Sequence, residues 1–222
     1  MLSLNSQYKS LYIYAEERNQ RSDFAYKYLG KRVFDICLSF LVTISILVWL
    51  IPLIGILIKL GSPGPVFFIQ KRTGYRGRTF NCLKFRTMSH DPQATFKQAR
   101  RNDERVTSIG RFLRKTNLDE MPQFINVLIG DMSIVGPRPH AIQHSAQYWN
   151  TMPEYRKRYR VKPGITGLAQ INGCRGEIDH LMKMRHRVKY DRFYNRKKSI
   201  LFDCWICWMT LKSMVGENDH VW

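Results

Sequence analysis

Asp119 and Glu120 are adjacent carboxylates in a chain whose 36 Lys and Arg residues outnumber its 17 Asp and Glu residues. The dyad lies in the block Arg111-Phe-Leu-Arg-Lys-Thr-Asn-Leu-Asp-Glu-Met-Pro, which runs on to the rigid cationic turn Gly136-Pro-Arg-Pro139. Carboxylates set among arginines fit chemistry on a phosphorylated substrate: the cations hold the anion, and a carboxylate attacks it or carries a metal ion. Neighbours in sequence point about 100° apart on a helix, so the two acids are expected to have separate roles. Asn117 or Asp119 is expected to cap a short helix over residues 120–129, stopped by Gly130. Asp131 offers a second acid, or equally a turn residue.

The formal net charge of +19 over 222 residues calls for an anionic partner, and the length suits one domain. The charge is spread along the chain and no nucleic-acid-binding motif accompanies it, so no nucleic-acid partner is expected. Five cysteines without framework spacing read as reduced thiols. Cys204 and Cys207 form a lone CxxC in an apolar, aromatic setting and read as helix-face residues rather than zinc ligands. His140 and His144 have HxxxH spacing, but no glutamate follows the first and no third ligand is evident.

Three parts must position the dyad. Residues 1–30 read as a polar, amphipathic segment. Residues 31–60 contain a run, 36–58, with no charge, long enough at about 1.5 Å per residue to cross a hydrocarbon core of about 30 Å. Pro52 lies within that run and is expected to break the helix. Lys31 and Arg32 precede the run and Lys59 follows it, so charge asymmetry does not choose between a spanning helix and one that re-enters the same face. Residues 61–222 carry the dyad and are expected to form a catalytic region facing the cytoplasm. Gly61-Ser-Pro-Gly-Pro65 is a turn, residues 66–72 and 79–86 read as a β-hairpin, and six basic residues ride on it: Lys71, Arg72, Arg76, Arg78, Lys84 and Arg86. They form either a solvated basic surface or a clamp for phosphates or lipid headgroups, and the sequence does not divide them. Residues 90–105 read as a helix or loop, 107–115 as a helix, and 140–159 as helical with a break near Pro153. In residues 162–173, glycines 164, 167 and 173 would let backbone approach a ligand closely. Residues 181–194 read as an amphipathic helix, and the Trp-rich segment 199–215 as a helix suited to the bilayer interface. The fold class expected is α+β: a membrane helix, amphipathic interfacial helices and a small hairpin or sheet.

These blocks together resemble the bacterial sugar transferase family, the monotopic polyprenyl-phosphate phosphoglycosyl transferases. The resemblance runs from about Lys31 to Leu211. It rests on Lys31-Arg-Val-Phe-Asp35, Ser62-Pro-Gly-Pro-Val-Phe-Phe-Ile-Gln70, Lys84-Phe-Arg-Thr-Met88, Leu118-Asp-Glu-Met-Pro-Gln-Phe-Ile-Asn-Val127, Gly130-Asp-Met-Ser-Ile-Val-Gly-Pro-Arg-Pro139 and Lys162-Pro-Gly-Ile-Thr-Gly-Leu-Ala-Gln170. Ile171-Asn-Gly-Cys-Arg-Gly-Glu177 is similar to the exopolysaccharide-initiating members that transfer glucose or galactose phosphate. In extent the chain is expected to correspond to the short members, which lack the N-terminal membrane bundle that many others carry.

The resemblance implies a re-entrant helix at the cytoplasmic face of the bacterial inner membrane. It implies transfer of a hexose 1-phosphate from a UDP-sugar to undecaprenyl phosphate with Mg²⁺, and it leaves a homodimer open. By the same resemblance Asp119 is the nucleophile and a metal ligand, Glu120 its catalytic partner, and Arg114, Arg138, Arg175, Lys84 and Arg86 the groups around the phosphates. Two positions depart from the pattern: Ile51 stands where many members have serine before the proline, and Cys174 where small members often have arginine after Asn-Gly, with Arg175 one residue later. The alternative function is a non-catalytic membrane scaffold of a polysaccharide assembly complex.

Overall fold

A long apolar helix, α1 (Leu29–Gly61), leads the chain in the computed structural model, which describes residues 29–91, 103–174, 176 and 181–215. Most of the polar segment 1–30, most of the segment 90–105, and Arg175 lie outside the described residues. By length and composition α1 could cross a membrane. It passes through Pro52 without ending, and its irregularity lies earlier, over Thr43–Leu47, where the amide of Val48 reaches back five residues to the Thr43 carbonyl. Pro52 has no N–H and crowds the turn before it, and a widened turn upstream is one way a helix absorbs such a residue. The helix expected to break at Pro52 runs on through it.

Both ends of α1 are fastened to the rest of the chain. Near its start, Arg32 donates to the carbonyls of Val127 and Leu128 at 2.6 and 2.9 Å, Lys31 pairs with Asp203 at 2.7 Å, and the Asp35 carboxylate accepts from the Ser133 hydroxyl and the Ile134 amide, both at 3.1 Å. Near its end, Ile54 and Ile58 are buried with Phe85 and Leu113. Between the anchors Phe40, Leu41, Ile44, Val48, Trp49, Leu53 and Ile56 are exposed.

Strands β1 (Phe67–Thr73) and β2 (Thr79–Phe85) form the expected antiparallel hairpin, in register from Phe67 opposite Phe85 to Thr73 opposite Thr79. Period-2 alternation gives the hairpin two faces. Phe67 and Phe85 stack on one side, 5.7 Å between ring centres, in the cluster with α1. Arg72, Cys82 and Lys84 share the other side. Helix α2 (Ser108–Lys115) is capped by the Thr107 hydroxyl, which accepts from the Gly110 amide at 3.0 Å. Helix α3 (Gln123–Ile129) ends at Gly130, whose φ of 99° favours glycine. From α3 the buried Asn126 grips β2: its amide oxygen accepts from the Leu83 N–H at 2.9 Å and its amide nitrogen donates to the Asn81 carbonyl at 2.7 Å.

A second, parallel pair joins β3 (Ser133–Val135) to β4 (Gly164–Thr166). The glycines here serve backbone packing. Gly136 donates to the Thr166 carbonyl at 2.9 Å and Gly164 to the Pro137 carbonyl at 3.0 Å, and a Cβ at Gly136, Gly164 or Gly167 would collide with the facing main chain. The close approach expected at Gly164 and Gly167 is thus to the chain's own backbone.

Helix α4 (Ile142–Thr151) and a 3-10 segment over Tyr155–Arg160 follow the reading of residues 140–159, with the break at Pro153. They build an aromatic core of Tyr148, Tyr155 and Tyr159 with Met184 and Val188. The short α5 (Leu168–Ile171) leads toward α6 (Leu181–Lys197) and α7 (Ile200–Val215). On α7, Ile206 and Asp203 face inward, the latter accepting from Tyr194 at 2.8 Å, while Leu201, Trp205, Trp208 and Leu211 are exposed. The fold class is α+β, as expected.

Replacing Asn126 by alanine leaves the Leu83 N–H and the Asn81 carbonyl of β2 without this partner in a partly buried setting. The expected cost is about 1–3 kcal/mol, read as a lowered thermal midpoint of the full chain in detergent or nanodiscs.

Candidate active site

The dyad sits on a single tight turn. After α2 the chain reverses at Asn117, whose φ of 57° lies in the left-handed region that asparagine tolerates better than most residues. One 3-10 turn, Leu118–Glu120, follows, and α3 starts beyond Pro122. Pro122 has no N–H with which to close an α-turn onto Leu118, so the helix restarts there. Neither Asn117 nor Asp119 caps a helix with its side chain, which corrects the expected helix over residues 120–129. Leu118 and Met121 pack into the cluster of Ile54, Ile58, Phe85 and Leu113. The two acids between them turn the other way, onto the cationic face of the hairpin.

Their environments differ. Glu120 is held from two sides: Lys84 Nζ lies 2.5 Å from Oε1, Arg138 Nη1 donates to Oε2 at 2.9 Å, and Arg138 Nη2 donates to Oε1. Burial alone would raise its carboxyl pKa, but Arg138 and Lys84 outweigh burial and hold it well below the ordinary range. Asp119 is only 9% exposed, and among the described residues its nearest cation is Lys84 Nζ at 3.7 Å, beyond hydrogen-bond reach. Burial pushes its carboxyl up, and Lys84, Arg138 and Arg114 offset that only in part, with Glu120 adding to the rise. The site therefore holds one fully paired carboxylate and, beside it, one under-stabilised carboxylate with free lone pairs.

The hairpin cations divide. Lys84 serves the dyad. Arg72 donates to the Pro139 carbonyl at 2.7 Å and to Gln70 Oε1 at 3.0 Å, so it supports the Gly136–Pro139 turn. Arg86 points elsewhere: its guanidinium caps the end of α1, donating to the Ser62 carbonyl at 2.7 Å and to that of Pro63, with Ile58 at 3.5 Å. The structure does not bring Arg86 to the dyad; a buried arginine at a helix C-terminus satisfies carbonyls there. Lys71, Arg76 and Arg78 are exposed. Arg114 stands at the rim, its Nε on the Thr87 hydroxyl at 2.9 Å and its charge felt by Asp119. Arg175 is outside the described residues. Asp131 follows the Gly130 turn, its amide on the Asn126 carbonyl at 3.0 Å, and reads as a turn residue. His140 is buried against Tyr155 and Arg158, unlike a metal ligand. The supporting role of Arg72 was missed by sequence reasoning, although strand alternation places it on the same face as Lys84.

No cluster of three or more His, Cys, Asp or Glu side chains that could hold a metal occurs among the described residues. Mg²⁺ commonly takes one or two carboxylates and completes its shell with water and substrate phosphate. Asp119, an oxygen donor with uncommitted lone pairs, fits that requirement.

The family model described as bacterial sugar transferase matches residues 26–217. The chain is 50% identical over 194 residues to a UDP-glucose:undecaprenyl-phosphate glucose-1-phosphate transferase of Escherichia coli K12, covering 86% of this chain and 42% of that protein. It is 44% identical over 192 residues to a protein of the same name from Caulobacter vibrioides, covering 86% of this chain and 72% of the other. It is also 44% identical over 188 residues to the exopolysaccharide production protein PSS of Rhizobium leguminosarum, covering 82% and 94%. The chain thus spans about two fifths of the Escherichia coli relative and most of the other two.

The raised pKa of Asp119 has a consequence for stability. The folded state disfavours its charged form, so the carboxylate weakens the fold above its folded pKa, and that penalty fades as pH falls and the group protonates. Asp119→Asn is expected to raise the thermal midpoint at pH 8, with a gain that shrinks toward about pH 4. Melts across that range check it.

Proposed function

The chain belongs to the bacterial sugar transferase family, and from that premise we propose that it transfers a hexose 1-phosphate from a UDP-sugar to undecaprenyl phosphate, releasing UMP. The observation that carries this reading is the pairing of an under-stabilised Asp119 with a cation-clamped Glu120 on one turn. The names of the Escherichia coli and Caulobacter relatives favour glucose as the hexose, and the Rhizobium name favours a first membrane step of exopolysaccharide synthesis.

The exchange makes one phosphoanhydride and breaks another, so its difficulty is the barrier. A diphosphate repels an anionic nucleophile, and Lys84, Arg138 and Arg114 oppose that repulsion while fixing the phosphate in line. An Asp119 oxygen attacks the phosphorus that bears the sugar. The new O–P bond forms as the bridging P–O bond breaks, and UMP leaves with that electron pair. A phosphate oxygen of undecaprenyl phosphate then attacks the same phosphorus, breaking the aspartyl O–P bond and returning Asp119 as a carboxylate. Glu120, ionised and held, keeps Lys84 and Arg138 aimed at the site. Mg²⁺, held by Asp119, would supply further charge neutralisation on the diphosphate.

The membrane arrangement we propose is re-entrant, with both ends of α1 at the cytoplasmic face of the bacterial inner membrane. On a straight helix Arg32 and Ile58 would lie about 39 Å apart. Yet Arg32 is bound to α3 through Val127 and Leu128, while the Ile58 carbonyl meets Arg86, next to β2, which α3 grips through Asn126. Attachment of both ends to one small body supports re-entry over spanning. The exposed apolar middle of α1 and the tryptophan face of α7 would sit among lipids, bringing the dyad to headgroup level, where a polyprenyl phosphate diffuses.

The test is UMP release by the full chain in nanodiscs with Mg²⁺, undecaprenyl phosphate and a panel of UDP-sugars. UDP-glucose is expected to be turned over, and Asp119→Asn to lose at least about a thousandfold. Intact protein without undecaprenyl phosphate is expected to carry a hexose-phosphate mass on the peptide containing Asp119. Undiminished release by Asp119→Asn overturns the covalent route, and no release with any sugar overturns the transferase reading in favour of a scaffold.

A further inference from the structure

Beneath the dyad lies a buried polar cluster that the proposed chemistry does not use. The Gly136–Pro139 turn carries Arg138, and two of its residues are prolines without N–H groups. The carbonyls of Arg138 and Pro139 take their hydrogen bonds from buried guanidinium groups: Arg158 Nη2 donates to Arg138 at 2.8 Å, and Arg72 Nη1 to Pro139 at 2.7 Å. Arg158 is 1% exposed. Its other nitrogens are committed as well, with Nε on Asp191 Oδ2 at 3.0 Å and Nη1 against the His140 ring at 2.6 Å. Tyr155 and Tyr159 lie against its guanidinium, 5.3 and 5.6 Å to the ring centres. Burial, then the charges of Arg158 and Arg187, hold the His140 pKa well down, so its ring stays neutral and accepts from Arg158.

We infer that Arg158 is a positioning residue for the transfer reaction: anchored by Asp191 from α6 and by His140, it fixes the Arg138 turn so that the Arg138 guanidinium stays on Glu120. The inference rests on the reading of Asp119 and Glu120 as the reacting site. Buried, each N–H of this guanidinium needs an acceptor, and Nη2, which also lies 2.9 Å from Asp191 Oδ2, finds one in the carbonyl of the residue that clamps the dyad. Losing that contact frees the turn, and Glu120 loses the two-pronged hold of Arg138 and keeps only Lys84.

Two variants separate positioning from stability. Arg158→Lys keeps a charge for Asp191 but lacks the fork that also reaches Arg138. Arg158→Met/Asp191→Asn removes both buried charges, a change folds often tolerate. Melting and the kcat and KM of UMP release are compared with the unsubstituted chain. The double variant is expected to melt within about 5 °C of it and to lose at least about tenfold in kcat while KM changes by less than about threefold. Arg158→Lys is expected to show the same split between kcat and KM. Unchanged kcat in either folded variant overturns the inference. Absence of UMP release from the unsubstituted chain overturns the transferase reading instead.

Discussion

Two carboxylates on one turn, mostly out of water, cannot both be ionised unless cations reach them, and the placement of those cations organises this molecule. Lys84 and Arg138 come from segments far apart in sequence, one from a hairpin strand and one from a proline-fixed turn, and they meet only on Glu120. The fold around them keeps that meeting in register. Asn126 ties β2, and with it Lys84, to the helix that follows the dyad. The parallel pair β3 and β4 sets the start of the Arg138 turn, and glycines at 136 and 164 allow the two main chains to touch there. A site built this way depends on backbone packing several residues from any charge, so side chains that never approach substrate can still govern it.

The same body also serves as the mount for α1. Fixing Arg32 on the end carbonyls of α3 and capping the other end with Arg86 places the helix relative to the dyad from both sides. Arg86 illustrates how function and architecture compete for the same residue type. A guanidinium answers a phosphate and a row of helix-terminal carbonyls equally well. What decides between them is which partner the neighbouring chain brings within reach.

That competition marks the limit of what the residues disclosed on their own. The dyad, the hairpin, the apolar helix and the break at Pro153 were legible, because periodicity, turn residues and charge report local structure. Sorting the six hairpin cations was not, since Lys84, Arg72 and Arg86 take different partners from segments distant in sequence. Alternation could have put Arg72 beside Lys84, but nothing local tells that a strand arginine will hold the carbonyl of Pro139. The glycines at 164 and 167 read as a ligand loop, when the object approaching closely was Gly136. A break in α1 was expected from Pro52, but the helix continues through it and the widened segment lies over Thr43–Leu47.

Asp119 and Glu120 also show why neighbouring acids need not share a role. Pairing Glu120 fully makes it a fixed negative strut between two cations, and this leaves Asp119 as the less supported charge of the two. An anion poorly solvated by its own protein gains from meeting an electrophilic phosphorus or a divalent cation, because either supplies the stabilisation the fold withholds. The long contact with Lys84 at 3.7 Å leaves the charge attracted but unbonded, and strengthening that hold would make a more stable protein and a less basic carboxylate.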